Sequence, residues 1–414
     1  MIFRIRFLKN AASFLPKRSI CGVCFDVDGV LAKGPVAISG STNAIRKLTD
    51  EKSRWKVPVA FVTNSSISSQ RRADYLSEIL NVKVCPTQVV QAHSPLELFT
   101  DLRKMFCLLI GQGDVRSLAN EVGLSNVCTL EDLRRAYPLL DMVNVESKYK
   151  PIDKEKITKN FPRVEAIILL GESVHWESTL QLVIDLLRTN GLPTKLLSKS
   201  SKFEQPPLIA CNFDLEYMGR AAIPRFGHGA FLVCIEALYK KVTGHSLKFS
   251  SLIGKPTEVT FRYAELVLAR ESQKLGIQSS VKKMYMVGDV PEADIAGANL
   301  YQKYVKKLDM YRKLGNDEEE CINLANTELP PSRNIPMHPS LIKQTVKRVE
   351  SLLVCTGVYK QSDKKLEVAA TEGRHVYHNR SIDALNFDKS VESPTKIFCD
   401  VNEAIEYIVE QNNL

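Results

Sequence analysis

The sequence predicts an α/β protein built on parallel sheets, and three observations predict it. Seven short apolar runs, CGVCFDVDG, VPVAFVTNSS, FCLLIGQG, VEAIILLGES, PPLIACNFD, KKMYMVGDV and SLLVCTGVY, each lead into a polar or glycine-containing turn. Helical patterns lie between many of them, such as SSQRRADYLSEIL, WESTLQLVIDLLRTNG and GAFLVCIEALYKKVTG. Strands alternating with helices imply parallel order. The third observation is size: 414 residues, 44% of them hydrophobic, suffice for a large core and two or three domains.

The first twenty residues, MIFRIRFLKNAASFLPKRSI, hold Arg4, Arg6, Lys9, Lys17 and Arg18 and no acid. Phe3, Phe7, Ala11 and Phe14 share one helical face. Arg6 and Lys9 lie opposite, and Arg4 does not fit. This pattern predicts a mitochondrial transit peptide over 1–19, with the matrix as destination; a fortuitously basic tail in a cytoplasmic protein is the alternative. Without those five charges the formal net charge of +9 falls to +4. No arginine-rich stripe with interleaved aromatics remains, so nucleic acid is not an expected partner. No apolar run is long enough for a transmembrane segment.

Two alternating blocks follow. One joins 20–96 to 208–414, and the other is 97–207. The stretch 301–346, with GNDEEE and LPPSRNIPMHPS, reads as an irregular surface insertion. DVNEAIEYIVE reads as a terminal helix. Among the ten cysteines, Cys21 and Cys24 form a CxxC pair with no second pair or Cys/His cluster, so a zinc site is not expected. Packing in the first strand is the expectation for Cys24, with a redox role as the alternative. Scattered thiols fit a reducing compartment.

The polar residues that suggest chemistry gather at strand ends, where parallel α/β folds place ligands. Asp26 and Asp28 follow the first strand, Thr63 and Asn64 the second. Lys255 lies in LIGKP. Gly288 and Asp289 follow MYMV, with Asp294 five residues on. Each alone has a bland explanation: a solvated acidic turn, a surface lysine, a helix cap. A calcium loop fails, because Leu31 and Ala37 occupy positions that need glycine and glutamate. A P-loop fails, because GKP lacks the following Ser or Thr.

Taken together and in order, DVDGV, VTNSS, Lys255 and GDVPEAD resemble the four motifs of the haloacid dehalogenase superfamily of phosphohydrolases. The segment between the second and third motifs resembles the α/β cap of class IIA, the NagD-like subclass. The resemblance covers about residues 20–410, with 301–346 the weakest part. It implies a Rossmann-like core (20–96 and 208–414) carrying an inserted C2-type cap (97–207). It also implies an Mg²⁺-dependent phosphatase. Asp26 would be the nucleophile, forming an aspartyl-phosphate, and Asp28 the general acid and base. Thr63 and Asn64 would bind the phosphoryl group, and Lys255 would balance its charge. Asp26, Asp289 and the backbone carbonyl of Asp28 would hold Mg²⁺, an oxygen donor set that suits the ion. Asp294 would orient a metal-bound water or Lys255.

Val30 replaces a threonine common in the superfamily, and Ala293 a Thr or Ser common before the last aspartate; neither is a metal ligand. PRFGHGAF, with Arg225 and His228, either holds an anion at a helix N-terminus or is a tight return needing glycine. The tight return is the expectation. Trp176, Glu177 and Arg188 lie on the cap, where Trp176 is expected to pack. The partner implied is a phosphorylated small molecule or lipid. Relatives fused to a CDP-alcohol phosphatidyltransferase domain link the group to glycerophospholipid biosynthesis, and caps of this subclass can pair into homodimers. A silent binding or scaffold protein on the same fold, and phosphoryl transfer to an acceptor other than water, are the competing readings.

Overall fold

A computed structural model describes residues 20–143, 160–193, 205–217, 225–277, 279–325, 344–359 and 388–414. The expected transit segment lies outside the described residues. In chain order the first strands are β1 (Ile20–Phe25), β2 (Ala32–Lys33), β3 (Val36–Ala37), β4 (Val59–Val62) and β5 (Val89–Val90). Next come β6 (Cys107–Ile110), β7 (Val127–Thr129), β8 (Ala166–Leu169), β9 (Leu208–Cys211), β10 (Glu216–Tyr217) and β11 (Arg225–Phe226). β12 (Ser251–Ile253), β13 (Val281–Gly288), β14 (Arg348–Val354) and β15 (Lys396–Phe398) complete the order.

The first sheet runs β15-β14-β13-β1-β4-β5, and each of its pairings is parallel. Helices cover both faces, which is why β1 and β4 are apolar throughout rather than alternating. β1 is where the strand order reverses, with β4 on one side and β13 on the other. Ligands in such sheets bind beyond the strand ends at that point. Phe25 is level with both Phe61 and Val287, so the three chains leave the sheet together and deliver Asp26, Thr63 and Asp289 to one place.

The second sheet runs β12-β9-β8-β6-β7, again parallel. It corrects the boundary expected at 207. β9 and β12 belong to this layer, which therefore reaches Ile253, two residues before Lys255. Buried parallel strands carry the same apolar signature in either sheet, so sequence does not tell which sheet they join. One apolar cluster joins the layers, from Cys24, Val62 and Met286 to Leu109, Ile168 and Ile253. The opposite face of the first sheet packs Val23, Phe25 and Phe61 against Ile405 and Ile408 of the terminal helix Val401–Asn412, which is capped by Asp400.

Cys21 and Cys24 are buried and free, and they join different apolar clusters because residues three apart on a strand face opposite ways. Packing is their role. The region 301–346 is also corrected. Its described part is regular: Ala296–Lys313 and Glu318–Ala325 are helices, with Tyr301, Tyr304, Val305 and Leu308 buried at helical spacing. Residues 326–343 lie outside the described residues. PRFGHGAF is a tight return in its described part. A Cβ on Gly227 would overlap the carbonyl oxygen of Asp214, and Gly229 N–H donates to that oxygen at 2.9 Å. His228 is fully buried and stacks on Phe231, and burial pushes its imidazole down to about 3. Trp176 packs edge-on against the same Phe231, while Glu177 and Arg188 are exposed.

The helix Ala296–Lys313 approaches the Lys255 segment through Gly297, where a Cβ would overlap the Phe261 ring and lie 3.0 Å from Pro256 Cα. Gly297→Ala is therefore expected to cost about 1–3 kcal/mol of stability. It should also lower activity by shifting the turn that carries Asp294. Urea unfolding checks the first expectation and a turnover assay the second.

Candidate active site

Four side chains converge beyond β1. Asp26 is buried, and its N–H donates to Val287 O at 2.9 Å, which locks the turn to β13. Lys255 Nζ donates to Asp26 Oδ1 at 2.6 Å and to Val62 O at 3.1 Å, and pairs with Asp294 Oδ1 at 2.8 Å. Asp294 Oδ2 accepts the N–H groups of Asp289 and Val290 at 3.2 and 3.1 Å, tying the turn Pro291–Ile295, in which it sits, back to the end of β13. Asp289 Oδ2 accepts Val358 N–H at 2.7 Å, whereas its Oδ1 is buried without a hydrogen-bond partner.

The carboxylates of Asp26, Asp289 and Asp294 each offer an oxygen within 4.8 Å of the others. Three buried anions around one cation leave negative charge uncompensated. Burial pushes Asp289 well above the ordinary carboxylate range, and Asp26 and Asp294 push it further. Burial lifts Asp294 to about 6 against the pull of Lys255. Asp26 is raised by burial too, with Lys255 opposing. For Lys255, burial acts downward, but Asp26 and Asp294 outweigh it and hold the ammonium charged. An unpartnered buried carboxylate oxygen in an anionic, all-oxygen donor set fits a hard divalent cation.

The backbone is shaped around Asp289. A Cβ on Gly29 or Gly357 would overlap its carboxylate, and Gly29 has φ 93°, which favours glycine. Thr356 Oγ1 donates to Gly29 O at 2.6 Å and so ties the loop after β14 to the loop after β1. The LVCTGVY run, whose Tyr359 N–H also donates to Asp289 O at 3.1 Å, thus supplies three hydrogen bonds of the site that no motif reading assigned.

Asp28 stands apart from the cluster. Its side chain is 57% exposed and lies 3.6 Å from Arg72 Nη1. Thr63 is buried, with its hydroxyl oxygen accepting Ser65 N–H at 3.3 Å. Asn64 clamps Lys255. Its Oδ1 accepts Lys255 N–H at 2.8 Å, and its Nδ2 donates to Lys255 O at 3.2 Å and to Asp214 Oδ1 at 3.1 Å. Both ends of its amide are thus occupied. Arg72 was not anticipated. The available signal was two arginines in the first turn of the helix Ser69–Leu80, where the helix dipole disfavours cations.

A family model of haloacid dehalogenase-like hydrolases matches residues 23–125. The chain is 30% identical over 306 residues to a cardiolipin synthase (CMP-forming) / mitochondrial hydrolase fusion protein of Schizosaccharomyces pombe, with 72% of this chain and 50% of the relative covered. It is 29% identical over 324 residues to a mitochondrial hydrolase of Saccharomyces cerevisiae, with 72% and 89% covered. The chain thus spans about half the length of the first relative and most of the second. Among solved structures, a possible sugar phosphatase of the haloacid dehalogenase superfamily from Cytophaga hutchinsonii aligns with TM-score 0.50 and 17% identity, covering 94% of this chain and 96% of that one. At that identity the likeness concerns the fold.

Two substitutions test the charge balance. Lys255→Met strands two buried carboxylates and is expected to cost about 3–5 kcal/mol. Asp289→Asn should act in the opposite direction. Carboxyls whose folded pKa is raised cost stability as pH rises through the folded value, and an amide removes that cost while its oxygen keeps the Val358 contact. In chelator at neutral pH, the Asn variant is expected to melt about 2 °C or more above wild type. It should also lose the rise in melting temperature that Mg²⁺ gives wild type. Thermal melts with and without Mg²⁺ decide both.

Proposed function

The chain belongs to the haloacid dehalogenase superfamily of hydrolases, and on that premise we propose that it hydrolyses a phosphomonoester through an aspartyl-phosphate on Asp26. The observation that supports this most is the buried Asp26–Lys255–Asp294 group at the switch point, with Asp289 Oδ1 left unpartnered beside it.

A carboxylate oxygen of Asp26 bonds to phosphorus as the bond to the leaving oxygen breaks. Asp28 donates a proton to that oxygen, and the alcohol departs. Asp28 then takes a proton from a water that attacks phosphorus, which frees inorganic phosphate and restores Asp26. Lys255, fixed by Asp26, Asp294 and the Asn64 clamp, offsets negative charge on the phosphoryl oxygens, and the Thr63 hydroxyl donates to one of them. Asp26, Asp289 and the carbonyl of Asp28 would hold Mg²⁺, with Asp294 behind Lys255. The bound ion supplies positive charge that lets an anionic nucleophile meet an anionic ester.

The reading extends to place and pathway. Both yeast relatives are named mitochondrial, and the basic, acid-free first twenty residues agree with that compartment. The fusion in fission yeast favours a phosphomonoester of glycerophospholipid metabolism. Among the described residues, no helix is long and apolar enough to cross a membrane. Unchanged phosphatidylglycerol and cardiolipin in cells lacking the protein would count against the lipid link.

Phosphate release from a panel of phosphorylated metabolites is the test of the activity. Wild type is expected to turn over at least one of them in Mg²⁺. Chelator should abolish the activity, and Asp26→Asn should lower it by about 10⁴ or more. An Asp26→Asn variant as active as wild type would rule out the aspartyl-phosphate.

A further inference from the structure

We infer that Arg72 is a positioning residue for Asp28, a fixed cation that keeps the proton-transferring carboxylate outside the metal cluster and at the leaving-group side. The inference rests on the phosphatase reading and adds a residue that no motif of the family supplied here.

The guanidinium is held on several sides. Arg72 is only 11% exposed at its side chain, its Nη2 donates to Ser65 Oγ at 2.8 Å, and its Cζ lies 5.6 Å from the centroid of the Tyr75 ring. Tyr75 is itself fixed, because its hydroxyl donates to Gly34 O at 2.5 Å in the turn between β2 and β3. The backbone next to Asp28 is fixed as well. Gly29 N–H donates to Ala32 O at 2.8 Å, and Gly29 O accepts Thr356 Oγ1. Between these anchored parts, the Asp28 carboxylate is the exposed and loosely held element.

The geometry suits transfer rather than storage of a proton. At 3.6 Å the Arg72–Asp28 contact is longer than a hydrogen bond. The carboxylate can therefore turn toward a leaving oxygen without leaving the field of the guanidinium. Arg72 is the cation placed against Asp28, and its removal leaves that exposed carboxylate free to swing toward Asp26, Asp289 and Asp294.

Two substrates separate positioning from simple structural support. An alkyl phosphate has a basic leaving oxygen and needs Asp28 as acid; p-nitrophenyl phosphate has a stable leaving anion and needs it little. In Arg72→Met, kcat/KM for the alkyl ester is expected to fall about 10²-fold or more, and at least tenfold further than for the aryl ester. Arg72→Lys should restore part of the alkyl activity, and it serves alone if the Met variant fails to fold, as melting curves will show. An equal fall on both esters, or no fall, overturns the positioning role while leaving the phosphatase reading intact. A wild type inactive on p-nitrophenyl phosphate and on every alkyl phosphate of the metabolite panel overturns that reading, and the positioning role with it.

Discussion

Lys255 lies between Asp26 and Asp294, 2.6 and 2.8 Å from their oxygens, with a third carboxylate, Asp289, beside them. The rest of the structure can be understood as a means of keeping that arrangement in place. A lysine buried this deeply would lose its proton were its partners removed. The carboxylates, in turn, would repel one another without it. The lysine is therefore gripped through its backbone by Asn64 rather than left on a flexible stem. Even so, one ammonium does not neutralise three carboxylates. The unpartnered oxygen of Asp289 marks where the remaining charge is to be met.

Register explains how distant segments reach this point. β1, β4 and β13 end level, and β12 delivers Lys255 from the second sheet two residues after its last paired residue, Ile253. The site is thus assembled from two layers, and the apolar cluster they share is what makes its distances reproducible. Ser66 adds a polar tie, donating to Leu170 O at 2.7 Å across the same junction. Asn64 adds another through Asp214. A second sheet joined to the first in this way shapes the site by its loops.

Much of this was legible in the sequence, for a definite reason. Each of Asp26, Thr63 and Asp289 follows an apolar run, so strand and chemistry announce themselves in one stretch. Lys255 was legible through its place in the motif order rather than through a strand signal. What stayed hidden was pairing. β9 and β12 look the same whichever sheet they enter. Asn64 gives no sign in the sequence that its amide closes on Lys255. Arg72 reads as a surface charge until Ser65, Tyr75 and Asp28 surround it. The helical repeat of Tyr301, Tyr304 and Leu308 was readable, but the acidic and proline-rich runs that follow it obscured it.

The buried cluster lacks one divalent cation's worth of charge. Calorimetric titration of the substrate-free protein with Mg²⁺ near pH 6, repeated in two buffers of different protonation enthalpy, tests it most directly. Carboxyls held above their ordinary range carry part of a proton, which a bound cation must expel. One ion bound per chain with measurable proton release is the expected result. Absence of binding, or binding with no protons released, would contradict it.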